Sequence, residues 1–296
     1  MKILVTGRLG QVAQSLVERA ARHPSIELIT LGRPELDLFN PETVMSAISA
    51  VKPRPDVVVS AAAYTAVDQA EEEPERAHAV NALGAGAVAA AAANVGAPVI
   101  HLSTDYVFSG GKEGAYSETD LPDPQGVYAR TKLEGERAVA DANPRHVILR
   151  TAWIYSPFGR NFVSTMLDLG KKSDRVGIVA DQWGNPTSAL DISDGILRIA
   201  GTISSGDRAD LFGVFHLAGA GSTNWSGLAK HIFAESRQLG GPFAQVEEIA
   251  TRDYPTRARR PYNSRLICEK LRHVYCWRAP DWQMSCREVV KRLLMG

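Results

Sequence analysis

Tyr128 and Lys132, in the stretch VYARTK, stand four residues apart, so on a helix both side chains project from one face about one turn from each other. Eight tyrosines and nine lysines in 296 residues give roughly a quarter of such a pair by chance, so the spacing needs its surroundings. The chemistry on offer is definite. A free phenol, with a pKa of ~10, is a sluggish proton donor at neutral pH. An ammonium about 4 Å away contributes up to roughly 4 kcal/mol at an effective dielectric of ~20, which lowers that pKa by about three before solvation losses. The pair therefore reads as a general acid with its tuning charge. Upstream, HLSTDYVFSG ends an apolar run with Ser103, Thr104 and Asp105, which puts two hydroxyls and a carboxylate at a strand end, where ligands bind in parallel-sheet folds.

A second constellation opens the chain. Gly7-Arg8-Leu9-Gly10-Gln11-Val12-Ala13 follows the first apolar run and leads into a helical pattern, the context in which G-x-x-G-x-x-[GA] has physical meaning. Gly7 permits a tight turn, Gly10 lets backbone approach a pyrophosphate, and Ala13 is small enough for the helix to pack on the strand. The first-turn N–H groups at Gln11 and Val12 and the helix dipole suit phosphates. After the second run, LGRPELDL puts Arg33 where a dinucleotide-binding fold meets the adenosine ribose; an arginine there suits a 2′-phosphate, which points to NADPH, with NADH as the alternative. Asp37 and Leu38 fall on the adenine side. Ala61, Ala62 and Ala63, with Tyr64 and Thr65 behind them, leave room for the cofactor along the strand ends.

Arg252, Arg257, Arg259, Arg260 and Arg265 lie within fourteen residues, interrupted by prolines and next to Ser264. Guanidinium forks match phosphate oxygens, so this segment suits a loop that grips a nucleotide diphosphate. Lys+Arg and Asp+Glu are both 33 and no other basic stripe extends the cluster, so a nucleic-acid partner is not expected. The N-terminal apolar run of five residues is too short for a signal core or a spanning helix, which predicts a cytoplasmic protein with no membrane partner. Cys268, Cys276 and Cys286, an odd number without C-x-x-C spacing, suit reduced thiols.

The elements that must position these residues alternate. KILVTG, IELITL, DVVVSAA, PVIHLS and HVILRT are short apolar runs, separated by helical patterns at 11–21, 41–51, 75–94 and 128–142. Such alternation predicts an α/β fold of the Rossmann type, a doubly wound parallel sheet covered on both faces. Asn40 before Pro41 is a good N-cap and first-turn pair, and the alanine run 85–93 has high helix propensity. After about residue 155 the rhythm loosens into a helix at 162–171, a strand at 176–179, a helix at 191–203, a strand at 214–218 and helices near 225–239 and 285–294. A dinucleotide-binding domain over 1–152 and about 188–220 is expected, with a smaller, partly interleaved α/β substrate domain over about 153–187 and 221–296.

A strand-end hydroxyl followed by Tyr-x-x-x-Lys on the next helix resembles the short-chain dehydrogenase/reductase superfamily in its extended, nucleotide-sugar branch. AAAYTAVDQAE, STDYVF, YARTK, RTAWIY, GRNF, DQWGNPT and YPTRARRPYNSRL, spread in order over residues 1 to about 285, sharpen the resemblance to the dTDP-4-dehydrorhamnose reductases. The resemblance implies a catalytic set of Thr104, Tyr128 and Lys132. Tyr128 would protonate the C4 carbonyl oxygen of a dTDP-sugar, Thr104 would hydrogen-bond it, and Lys132 would also hold the nicotinamide ribose. Ser103 would border the cofactor, and Asp105, Trp153, Arg259, Arg260 and Ser264 the substrate. The pattern departs from the family at Gln125-Gly126 and Ala129-Arg130 around the tyrosine. It departs again at Ser15 and Leu190, which align with glutamates that bind Mg²⁺ at a dimer interface in some members, so no metal is expected there and both monomer and homodimer stay open. Two other functions remain: a non-catalytic NADP(H)-binding regulatory subunit, and a nucleotide-sugar epimerase or dehydratase.

Overall fold

A computed structural model of the chain describes residues 1–206 and 208–296. Its first half runs β1 (Lys2–Thr6), α1 (Gln11–Ala20), β2 (Glu27–Leu31), α2 (Pro41–Ala50), β3 (Val57–Ser60), α3 (Val67–Ala70), α4 (Pro74–His78), a π-turn (Ala79–Gly84), α5 (Ala85–Asn94), β4 (Val99–Thr104), α6 (Val127–Ala142) and β5 (His146–Thr151). There follow β6 (Ile154–Tyr155), α7 (Phe162–Gly170), β7 (Arg175–Val179), β8 (Trp183–Gly184), β9 (Thr187–Ser188), α8 (Ala189–Ser205), β10 (Gly213–His216), β11 (Thr223–Asn224), α9 (Trp225–Gln238), β12 (Gln245–Ile249), α10 (Glu269–Tyr275) and α11 (Trp282–Met295).

Six parallel strands form the main sheet in the order β10-β5-β4-β3-β1-β2. The chain winds one way from β1 to β2 and the other way from β3 onward, so the crevice beyond the carboxyl ends of β1 and β3 is the switch point where such sheets bind ligands. β1, β3 and β4 are buried along their whole length, the continuous apolar run of a strand covered on both faces. One face packs on α1 and α8 through Val12, Leu16, Ile192, Ile196 and Ile199; the other packs on α2, α5 and α6 through Val44, Ile48, Val88, Ala92 and Val139. The alanine run is indeed a closely packed helix: a β-carbon on Gly86 would lie 3.1 Å from the Ala138 methyl.

A third core, with Val163, Met166, Ile178, Ile232, Phe233, Val289 and Val290 at its centre, gathers α7, α9, α11 and the parallel pair β7–β12. Three local expectations need correction. The helix at 75–94 is broken by the π-turn at Ala79–Gly84. Asn40 occupies the N-cap position of α2, but its side chain caps nothing; the Thr43 hydroxyl instead donates to its carbonyl at 2.7 Å. β12 and α10 were not foreseen: β12 alternates exposed charges with half-buried apolar residues and gains its identity only by pairing with β7. All three cysteines are free. Among the described residues no helix is long and apolar enough to cross a membrane.

Candidate active site

A crevice of about 1690 Å³ opens at the carboxyl ends of the central strands. Gly7 takes φ 97°, a left-handed backbone that favours glycine, and its N–H donates to the Leu31 carbonyl at 2.6 Å, which ties the ends of β1 and β2 together. Gly10 stands at the N-cap of α1 with open space where a β-carbon would be, and the first turn carries no acidic residue. The N–H groups of that turn and their partial positive charge therefore face the crevice without an internal anion. Gln11 and Val12 line it, and the Gln11 side-chain oxygen accepts from Ser156 at 2.9 Å.

Arg33 is exposed on the rim, beside Asp37 and Leu38, which also line the crevice. Arg8, absent from the expected set, lies with it: its guanidinium is 2.9 Å from Glu35 and donates to the Arg33 carbonyl at 3.3 Å. The opposite wall is Ala61, Ala62, Ala63, Tyr64 and Thr65. Asn81, from the π-turn, fixes that wall: it accepts from the Tyr64 N–H at 2.8 Å and donates to the Tyr64 carbonyl and the Thr131 hydroxyl at 3.1 and 3.2 Å. An asparagine inside an alanine-rich helical pattern was the available signal for it. These groups fit a dinucleotide phosphate, with glycines, a bare helix start and two guanidiniums in one cleft.

Tyr128 and Lys132 both reach the crevice from the first turns of α6. Tyr128 also borders a small cavity of about 20 Å³, lined among others by Tyr106, Phe108, Gln125 and Arg259. Burial acts on both members of the pair. It pushes the Tyr128 phenol up to about 12; the Thr104 side chain opposes this and the Asp105 charge adds to it. The Lys132 ammonium is anchored on β4, donating to the Leu102 carbonyl at 2.6 Å with His101 Nε2 3.3 Å away. Burial lowers it to about 8, against the raising effect of Glu136. Desolvation thus favours the neutral form of each group, an effect that residue spacing does not show. Ser103 lines the crevice, but its hydroxyl is given to Glu136 at 2.5 Å, inside a buried Glu136–Arg150 pair whose two hydrogen bonds are 2.9 and 2.7 Å.

Asp105 is buried beside Thr104, whose hydroxyl donates to it at 3.1 Å. Burial raises its carboxyl to about 7, opposed by the neighbouring Ser264 and Thr104 side chains. Ser264 is buried and donates its N–H to the Trp183 carbonyl at 2.8 Å. Trp153 sits at φ 46° and stacks flat on Trp225, ring centres 3.6 Å apart, and any side chain at Gly184 would collide with its ring. The arginine cluster is not a free grip. Arg260 donates to Asp68 at 2.6 Å, Arg257 pairs with Glu72, and Arg265 donates to Asn263 and to the Glu113 carbonyl. Asp68 of α3 and Glu72 in the turn after it reach across to Arg260 and Arg257, and the buried Nη1 of Arg260 is left without a partner. Arg259 is exposed at the cavity beside Tyr128. Ser15 and Leu190 are both buried, a hydroxyl and a hydrocarbon that do not supply the carboxylate oxygens Mg²⁺ takes. Among the described residues no group of three or more His, Cys, Asp or Glu could hold a metal ion.

The family model described as the RmlD substrate binding domain matches residues 1–295. The chain is 50% identical over 295 residues to a dTDP-4-dehydrorhamnose reductase of Sinorhizobium fredii, covering 100% of this chain and 98% of that one. Its fold matches the crystal structure of a dTDP-4-dehydrorhamnose reductase from Clostridium acetobutylicum with a TM-score of 0.91, 36% identity and full coverage of both chains. It likewise matches that of a dTDP-4-dehydrorhamnose reductase from Bacillus anthracis in complex with NADP, with a TM-score of 0.89, 32% identity and coverage of 99% and 98%. A dinucleotide crevice with Tyr128 and Lys132 on its inner wall, together with these likenesses over the whole length, places the chain in the RmlD substrate binding domain family, that of the dTDP-4-dehydrorhamnose reductases.

Proposed function

We propose that this chain is an NADPH-dependent oxidoreductase that reduces the C4 ketone of dTDP-4-dehydro-L-rhamnose to give dTDP-L-rhamnose. The observation that carries the reading is the Tyr128 phenol, placed where the crevice meets the small cavity, with Lys132 one turn along the same helix. The relatives' activity and the NADP bound to the Bacillus neighbour support it. Bound NADPH supplies the hydride. Tyr128 gives its proton to the ketone oxygen and Thr104 hydrogen-bonds that oxygen, so hydride plus proton account for the new alcohol. The charged Lys132 steadies the phenolate left behind and holds the nicotinamide ribose. The start of α1 takes the pyrophosphate, and Arg33 with Arg8 takes the 2′-phosphate. Asp105, Trp153, Arg259 and Ser264 border the sugar nucleotide, whose diphosphate falls to Arg259 more than to the Asp68-bound Arg260.

The division into a dinucleotide-binding domain, 1–152 with about 188–220, and a substrate domain, about 153–187 with 221–296, is part of this reading; the separate third core supports it, except that α10 packs on the first core through Leu271 and Tyr275. A cytoplasmic location, and a monomer or homodimer, go with it. Wild-type protein mixed with NADPH and dTDP-4-dehydro-L-rhamnose is expected to oxidise NADPH one for one with product, and Tyr128→Phe to lower kcat by about 10²–10⁴ with an unchanged melting temperature. An epimerase or dehydratase recycles its cofactor and would show no net oxidation. A non-catalytic binding subunit would show no turnover to lose.

A further inference from the structure

His101 is a buried titratable group that the reaction above leaves without a task. It sits in the middle of β4, in register with Ser60 of β3, and its Nδ1 is 3.0 Å from the Ser60 hydroxyl. Its other nitrogen, Nε2, is 3.3 Å from the Lys132 ammonium, which reaches down from α6. Ser60 and His101 are 1% exposed and Lys132 is 2% exposed, so no solvent competes for these contacts. An ammonium only donates, so Nε2 must present its lone pair; the ring proton then lies on Nδ1 and points at Ser60. Ser60 thereby selects the one tautomer that can accept from the lysine, as a carboxylate or carbonyl orients a metal-binding or catalytic imidazole.

The arrangement answers a need. A charge this deep in the protein costs several kcal/mol unless its donors find acceptors. Lys132 has two beneath the crevice, the Leu102 carbonyl and His101, and both lie on β4. We propose that His101, oriented by Ser60, is a positioning residue that keeps the Lys132 ammonium charged and fixed under the crevice wall; this rests on the reductase reading above, in which that charge serves Tyr128.

Burial and the nearby ammonium both hold the imidazole well below its ordinary range, so it stays a neutral acceptor through the working pH range. The other charged or titratable groups around the lysine are few. Tyr128 and Glu136 lie on its own helix; Glu136, paired with Arg150 of β5, also favours the charged lysine. Asp105, just after β4, acts on Tyr128. His78 of α4 faces Glu134 on the outer side of α6, and Asn81, beside Thr131, is neutral.

The test measures Lys132 directly. In protein labelled with ¹³Cε-lysine, nine lysines give a tractable spectrum, and Lys132→Met identifies the resonance. His101→Leu is expected to lower the Lys132 titration midpoint by about one pH unit or more, the size of a lost hydrogen bond to a charged group. The alkaline limb of kcat/KM for NADPH oxidation should move the same way. His101→Gln, whose amide oxygen accepts from Lys132 while its NH₂ donates to Ser60, should return the midpoint and the limb toward wild type; a purely structural role would not show that rescue. A folded His101→Leu protein with the wild-type midpoint overturns the proposal, as does a Gln variant as displaced as Leu. Lack of turnover by wild-type protein would instead overturn the reductase reading, and the Lys132 midpoint would still decide the role of His101.

Discussion

At the rim of the crevice the Arg8 guanidinium meets the Glu35 carboxylate, with Arg33 exposed beside it. Glu35 is held below the usual carboxylate range by its own backbone N–H and by Arg8, so in this structure it occupies the partner a 2′-phosphate would take. If Arg8 and Arg33 read that phosphate, Arg8→Ser combined with Arg33→Ser raises KM for NADPH about tenfold or more and leaves KM for NADH within about threefold. Steady-state rates with both cofactors check this; equal losses would put the phosphate elsewhere. Asp105 gives a pH test on stability. Its carboxyl titrates near 7 in the fold against an ordinary 3.8, so between those values the native state holds a proton that the unfolded chain has released. The stability this contributes is full below about 4 and is lost as pH rises through 7. Asp105→Asn, which cannot ionise, should therefore be more stable than wild type at pH 8, by about 1–3 kcal/mol in denaturant melts, and lose that advantage at pH 4. An advantage equal at both pH values would contradict the assignment.

Among the elements, the π-turn at Ala79–Gly84 does the positioning that no single side chain could. The wider turn carries Asn81 inward to the Tyr64 backbone and to α6. α6 passes so close that a β-carbon on Gly135 would collide with the Asn81 carbonyl, and one on Gly84 would lie 2.6 Å from the Leu38 carbonyl. Gly135→Ala must therefore push α6 away from the turn and move Tyr128 and Lys132 with it. Urea unfolding should show a loss of at least about 2 kcal/mol, with a larger proportional fall in kcat than in NADPH affinity. A variant as stable as wild type would mean that the helix pair yields freely. Beforehand only the asparagine within the alanine-rich pattern hinted at this: the run showed helix propensity, but whether a helix widens by one residue is decided by what packs on it.

On the scale of the molecule, the sheet with its two cores and the third core around α7, α9 and α11 meet over the start of α1. Ser156, in the segment leading from β6 to α7, has its hydroxyl 2.9 Å from the Gln11 side-chain oxygen and 2.7 Å from the Phe158 carbonyl, which share its one proton, and that segment also brings Gly159 and Arg160 to the crevice. Ser156→Ala is expected to cost about 1 kcal/mol of stability or less while raising KM for NADPH several-fold, since the segment would no longer be tied to the helix start. Calorimetry and initial rates separate the two effects. An unchanged KM would show that the segment holds its place without the bond.

Read without coordinates, the chain already declared a doubly wound parallel sheet, because buried parallel strands must be apolar runs and their crossovers must be helical. It declared the glycine turn and the Tyr128–Lys132 pair for a similar reason: both depend on neighbours a few residues apart, a distance over which sequence and geometry are nearly the same thing. What packing alone settled lies far apart in sequence. The acids that bind Arg257 and Arg260 lie about 190 residues earlier, Trp225 stacks on Trp153, and the groups that take the Lys132 ammonium sit on another element thirty residues away. Burial, which sets whether a charge is solvated or held, exists only once the chain has folded, and so the electrostatics of the site could not be read from residue types.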